Sequence, residues 1–185
     1  MIKKHYYSWQ AVENACVNIA LQMYKDAWRP DYIVGITRGG NVPATILSNV
    51  LDIRGEALKV SLRDNKGGES ETNCWMSEDA FGAVPYEEVE EYGARWDPAR
   101  RKNILIVDDI NDTGATFNWI KQDWQAICFP NEEAWNTVWG HNVRFAVITE
   151  NLSSEFDGIN YYTHEVNKAE EDVWLVYPWE NVGNG

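Results

Sequence analysis

Cysteine is scarce in this chain of 185 residues, and Cys16, Cys74 and Cys128 lack the paired spacing of a zinc site or a disulfide framework. A reducing compartment is the default expectation. No apolar run approaches the length of a bilayer crossing, and the lysines of the opening MIKKHYYSWQ precede no apolar leader segment. A soluble, cytoplasmic chain with no membrane partner is expected. Positive charge is also short, with 16 Lys and Arg against 29 Asp and Glu and a formal net charge of -13. Nucleic-acid binding rests largely on neutralising phosphates, so that balance argues against a DNA or RNA partner. Any anion site in so acidic a chain must focus positive potential locally, which draws notice to Arg38, Lys59, Arg63, Arg100, Arg101 and Lys102.

What is present suits one domain with a real core. Apolar strand-like runs alternate with helix-like stretches, as in a single doubly wound α/β sheet. The ten tryptophans lie mostly outside the motifs below and read as packing or interface residues.

The most informative stretch is ILIVDDINDTGAT, residues 104–116. Ile104, Leu105, Ile106 and Val107 form an unbroken apolar run, suited to a central parallel strand covered on both faces. Asp108, Asp109 and Asp112 follow, at the carboxyl end of the strand, where open α/β sheets bind their ligands. Thr113, Gly114, Ala115 and Thr116 lead into an expected helix over 117–127, whose first amides have no intrahelical acceptors and can point at an anion. A phosphate suits the turn. The acids would only repel it, and they suit ribose hydroxyls, a divalent cation, or both. A second strand–turn–helix unit, DYIVGITRGGNVPATILSNVL, spans 31–51. Its turn, Thr37, Arg38, Gly39 and Gly40, combines a fixed positive fork with adjacent glycines that permit positive φ and let amides converge on an anion. Taken singly, this is also an ordinary glycine turn.

The first motif resembles the ribose-phosphate signature of type I phosphoribosyltransferases, in which two acids precede a D-T-G-x-T phosphate loop. The T-R-G-G-N-V-P run is similar to the pyrophosphate loop of bacterial xanthine-guanine members, and HYYSWQAV resembles the opening helix of the family. DVWLVYPWE, residues 172–180, resembles its closing W-x-x-x-P-W segment. The resemblance runs from about His5 to Glu180 and implies a type I phosphoribosyltransferase fold: an α/β architecture with a central, mainly parallel sheet flanked by helices and a small C-terminal hood. An apolar strand ending in two acids also describes response-regulator receivers and Walker-type Mg²⁺ sites, but neither explains a phosphate-like turn directly after the acids.

By that resemblance Asp108 and Asp109 hold the ribose hydroxyls of phosphoribosyl pyrophosphate, with Mg²⁺ as cofactor on the same two carboxylates. Thr113, Gly114, Ala115 and Thr116 cup the 5′-phosphate, and Thr37, Arg38, Gly39 and Gly40 bind pyrophosphate. Trp174 stacks on the base and Leu175 presents main-chain atoms to it, within a hood over 152–185; packing of a C-terminal strand is the other reading of Trp174. The implied reaction is a pentosyl transfer of purine salvage, from phosphoribosyl pyrophosphate to a ring nitrogen of a nucleobase, with Arg38 stabilising the departing pyrophosphate. Asp112 would take the proton from the base, or else cap the following helix. A homo-oligomer, as a dimer, is implied by relatives. The alternatives are a catalytically silent sensor of phosphoribosyl pyrophosphate or nucleotides that regulates a protein partner, and a transferase for a non-purine base.

Three stretches depart from the pattern. Residues 63–103 are acidic before they turn basic at Arg100, Arg101 and Lys102; they either fold locally, as a charged insertion or docking arm, or form a mobile lid with those cations as pyrophosphate contacts. Purine-salvage relatives place a lysine at the end of the strand after the ribose-phosphate helix, where it contacts the 6-oxo group. Here that strand, expected over 143–149, ends in Glu150 and Asn151, a carboxylate suited to an exocyclic amine and an amide that can read either type of group. Residues 128–141 look like an insertion, suited to an oligomer contact.

Overall fold

The computed structural model describes residues 2–60, 62, 74–180 and 182. Five parallel strands form the main sheet in the order β3-β2-β4-β5-β6. They are β2 (Tyr32–Thr37), β3 (Gly55–Lys59), β4 (Ile104–Asn111), β5 (Val143–Asn151) and β6 (His164–Val166). Because all five run the same way, every carboxyl end lies on one side of the molecule. The first five residues of β2 and the first four of β4 are buried, as continuous apolar strands covered on both faces should be.

Helices fill both faces. Helix α1 (Trp9–Lys25) starts at Ser8, whose Oγ accepts from Ala11 N at 3.0 Å. It buries Val12, Ala15, Cys16, Ile19, Ala20 and Met23, a stripe at the helical repeat. With α2 (Asn41–Leu51) it packs over Ile33, Leu105, Val107, Ala146 and Ile148 on one face of the sheet. On the other face α3 (Cys74–Phe81) and α5 (Ala115–Ile127) cover Tyr32, Val34, Ile36, Ile104, Ile106, Phe145 and Val147. A short α4 (Val89–Tyr92) lies between them in sequence. A separate parallel pair, β1 (Lys3–Tyr6) with β7 (Val173–Val176), ties the start of the chain to the hood.

Residues 74–103 fold locally and are anchored. Met76, Ala80 and Phe81 are buried, and Phe81 meets the rings of Trp96, Phe129 and Trp135. Ser77 Oγ donates to the Trp124 carbonyl at 2.6 Å, and Asn142 Nδ2 donates to the carbonyls of Ala80 and Lys102. Burying a side chain the size of Met or Phe stabilises by about 1.5–3 kcal/mol, enough to hold the segment down. The lid expectation for residues 63–73, and Arg63 with it, lies outside the described residues. Residues 128–141, read as an insertion, bury Trp135 and Val138 in the same core.

Several boundaries move. Strand β4 continues through the acids to Asn111, because Ile110 and Asn111 keep their pairing with Thr149 and Glu150 of β5. Strand β3 pairs along its whole length with Ile33 to Thr37 of β2.

Candidate active site

The turn after β2 meets the acids after β4. A β-carbon built on Gly39 would collide with the carboxylate of Asp109, and one on Gly40 with the carbonyls of Val107 and Ile36. Neither glycine has positive φ, in contrast to the sequence expectation. These glycines supply room, not a left-handed backbone: their bareness lets the loop lie on the end of β4. Arg38 is exposed at the tip and makes no ion pair among the described residues. Asn41 Nδ2 donates to Thr37 Oγ1 at 3.2 Å, bracing the turn against the first turn of α2.

On the other side of the acids, residues 108–117 line a concavity of about 170 Å³. Gly114 has φ +87, and a β-carbon there would stand 2.5 Å from Phe156 N and 2.8 Å from Ser154 Oγ. Here positive φ and close approach are both required. Helix α5 starts at Ala115 with Gly114 as its cap, so its first amides face the concavity and Asp112 does not cap it. Thr113 Oγ1 accepts from Ala115 N at 3.3 Å.

Asp108 and Asp109 sit between the two turns without a cationic partner among the described residues. Burial, then the charge of Asp109, holds Asp108 well above the usual carboxylate range. Burial also raises Asp109, with a smaller contribution from the charge of Glu180. Two adjacent carboxylates in such a place cannot both ionise cheaply until a cation or hydroxyl donors arrive. Among the described residues no group of three or more His, Cys, Asp or Glu is placed to hold a metal ion. Two carboxylates alone fit Mg²⁺, which commonly keeps its waters and substrate phosphates as its other ligands.

Asp112 lines the same concavity. Its Oδ1 lies 2.9 Å from Lys168 Nζ, and its carbonyl accepts from Asn151 Nδ2 at 2.8 Å.

A model of the phosphoribosyl transferase domain matches residues 3–157. The chain belongs to the phosphoribosyltransferase family. It is similar to xanthine phosphoribosyltransferase 1 of Saccharomyces cerevisiae, 23% identical over 193 residues that cover 96% of this chain and 90% of that protein. It is similar also to the hypoxanthine-guanine phosphoribosyltransferase of Schizosaccharomyces pombe, 27% identical over 200 residues covering 95% and 88%. The solved purine phosphoribosyltransferase from Pyrococcus horikoshii shares the fold, with a TM-score of 0.62 at 21% identity over 97% of this chain and 95% of that one. The type I phosphoribosyltransferase fold expected from the motifs is therefore the one observed.

In this phosphoribosyltransferase chain the hood reaches the acids through Tyr177. Its hydroxyl donates to the Asp109 carbonyl at 3.0 Å and lies 3.0 Å from Thr149 Oγ1, while its ring stacks between Tyr7 and Trp179. Thr149 Oγ1 meets Tyr7 at 2.8 Å, and Tyr7 meets His164 Nδ1 at 2.9 Å. Trp174 is 59% exposed and stacks with no other ring among the described residues, so its face is open. The Leu175 side chain is buried beneath the hood, which leaves only its main chain to offer. Tyr177 is the residue of the hood that hydrogen-bonds to Asp109.

Two expectations need correction in a phosphoribosyltransferase built this way. Arg100, Arg101 and Lys102, expected as pyrophosphate contacts, precede β4, so they lie at the amino ends of the strands, away from the turn after β2. Arg100 pairs with Glu88 at 3.1 Å, Arg101 donates to the Phe81 carbonyl and Thr137 Oγ1, and Lys102 pairs with Asp79 at 3.4 Å. Lys59, by contrast, pairs in register with Thr37 at the crevice end. Glu150 and Asn151 are used internally. Glu150 accepts from Asn111 Nδ2 at 3.0 and 3.2 Å, while Asn151 Oδ1 accepts from Ser153 and from Lys168 N.

Asn111 and Lys168 escaped the sequence reading. Asn111 is buried, donates to Glu150 and the Phe156 carbonyl, and accepts from Ser154 Oγ, thereby pinning the segment that packs on Gly114. Its place at the end of β4 was a faint signal. Nothing local in the sequence distinguishes Lys168.

Proposed function

We propose that this chain transfers the 5-phosphoribosyl group from phosphoribosyl pyrophosphate to a ring nitrogen of a purine and releases pyrophosphate. One observation carries the reading: the Gly39 turn rests on Asp109, while the Gly114 turn opens from the same strand end, so two anion-binding turns flank one pair of acids. A sugar with phosphate groups at both ends suits that spacing. The named activities of the relatives support a purine as acceptor. No observation favours the sensor alternative.

In this reading Asp108 and Asp109 orient the ribose hydroxyls and hold Mg²⁺, which when bound neutralises phosphate charge. Arg38 and the amides of its loop stabilise the negative charge that develops on departing pyrophosphate. Binding both ends of the donor fixes the anomeric carbon before the bond breaks, an entropic advantage gained on binding. Asp112 receives the proton lost from the purine ring.

The test is incubation with phosphoribosyl pyrophosphate, Mg²⁺ and a panel of purine and pyrimidine bases while pyrophosphate release is followed. Release that depends on a purine is expected. Release with no base, or with pyrimidines alone, would overturn the reading.

A further inference from the structure

We infer that Tyr177 is a positioning residue for the acid pair: by holding the peptide between Asp109 and Ile110, it sets the direction of the Asp109 carboxylate. The inference rests on the proposed use of that carboxylate in phosphoribosyl transfer and adds a residue that acts through it.

The peptide in question is held at both of its polar atoms. Its carbonyl accepts from the Tyr177 hydroxyl at 3.0 Å, and its N–H, that of Ile110, donates to Oδ1 of Asp109 itself at 2.9 Å. A peptide is planar, so the two bonds cannot tilt independently. Swinging the carbonyl away from Tyr177 swings the N–H with it, and the carboxylate follows its donor. The other carboxylate oxygen has little room to absorb such a movement, because Oδ2 is the atom that a β-carbon on Gly39 would strike first. Strand pairing on the β2 side does not supply the restraint. Strand β4 pairs with β2 only as far as Val107, and past that point the Tyr177 hydroxyl takes the Asp109 carbonyl.

Tyr177 is itself fixed. Its ring lies 4.8 Å from those of Tyr7 and Trp179, stacked on both, and its hydroxyl lies 3.0 Å from Thr149 Oγ1. Tyr177 and Thr149 are both buried. Burial, then the charge of Asp109, holds the phenol well above its ordinary range, so the hydroxyl keeps the proton that it donates. Thr149 in turn has Tyr7 at 2.8 Å as its second hydroxyl partner, which leaves its own proton for Tyr177. A clamped ring and a buried hydroxyl behind it thus fix where the donor points.

The experiment compares the wild type with Tyr177→Phe, Thr149→Val and Thr149→Ser. The amide resonance of Ile110 is followed by NMR in isotope-labelled protein, and kcat and KM are measured with phosphoribosyl pyrophosphate and a purine. In Tyr177→Phe and Thr149→Val the Ile110 resonance should move and kcat should fall roughly 10- to 100-fold, the scale of a displaced reacting group, while KM for the purine stays near the wild-type value. Thr149→Ser restores a hydroxyl and should return both readouts toward the wild type. A general loss of stability raises the unfolded fraction without moving a native resonance, so the NMR arm separates positioning from packing. The Thr149 pair carries the test if Tyr177→Phe does not fold. An Ile110 resonance that stays in place when the hydroxyl is removed, or a Thr149→Ser as impaired as Thr149→Val, would overturn the inference. A wild type that turns over no purine counts against the proposed reaction alone, and the Ile110 resonance still decides about Tyr177.

Discussion

Gly39 lies directly against the carboxylate of Asp109, with no space for a β-carbon between them. The turn after β2 and the acid pair therefore share one surface, and neither can shift without the other. Gly39→Ala must push the turn off the end of β4 or turn Asp109 away from its position. Turnover with phosphoribosyl pyrophosphate should fall roughly 100-fold, the scale of a misplacement near 1 Å. The thermal unfolding midpoint should change little, because the turn lies at the edge of the core. Unchanged turnover would mean that Asp109 and the turn act separately.

Tyr177 ties the hood to the same place. The Asp109 carbonyl can only accept, so the donors run toward it: His164 to Tyr7, Tyr7 to Thr149, Thr149 to Tyr177, and Tyr177 to Asp109. Tyr177→Phe keeps the ring stacked between Tyr7 and Trp179 but leaves buried oxygens unpartnered. Urea denaturation should show a loss of about 1–3 kcal/mol. Thr149→Val breaks the chain one step earlier and should cost a similar amount.

Much of this arrangement was legible because it follows from local pattern. The apolar runs of β2 and β4 and the turns at their ends are contiguous in sequence, and a parallel sheet brings the ends of neighbouring strands together. Chain direction was the weak point. Arg100, Arg101 and Lys102 stand close in sequence to the acids of β4, yet a strand of 8 residues separates its two ends in space. Lys168 was hidden for the opposite reason, since a buried asparagine, not a periodic motif, carries it to Asp112. The two glycines of the first turn showed a third limit: sequence reveals that a side chain is missing, but not whether the backbone angle or the neighbour requires it.

Glu150 makes stability depend on pH. Burial raises its pKa to about 7, against the opposing effect of the Asn111 hydrogen bond. The folded state thus holds a proton that the unfolded chain releases near pH 4.5. The sign follows: the contribution is fully present below that value and is lost as pH rises through about 7. Glu150→Gln keeps a carbonyl for Asn111 and removes the titration. Denaturation midpoints of wild type and variant, measured from pH 4.5 to 8, should converge in acid and diverge toward pH 8 with the variant the more stable. A constant difference across the range would show that Glu150 does not titrate there.

The assignment of Asp112 can be separated from structural roles because the fold already excludes one of them. Gly114, not Asp112, caps α5, and the backbone carbonyl of Asp112, not its side chain, is held by Asn151. Asp112→Asn therefore leaves the cap and the Asn151 bond in place. It loses the ion pair with Lys168, a contact with 46% of the Asp112 side chain exposed, and partly exposed pairs of this kind contribute roughly 0–1 kcal/mol. What it removes outright is a group able to accept the ring proton, and general-base catalysis contributes roughly 10²–10⁴-fold. Turnover of the variant should drop by that factor, while binding of phosphoribosyl pyrophosphate and the unfolding midpoint stay near the wild-type values. If turnover stays near normal, the proton leaves by another route, and the meeting of Asp112 with Lys168 is a structural tie between β4 and the segment after β6.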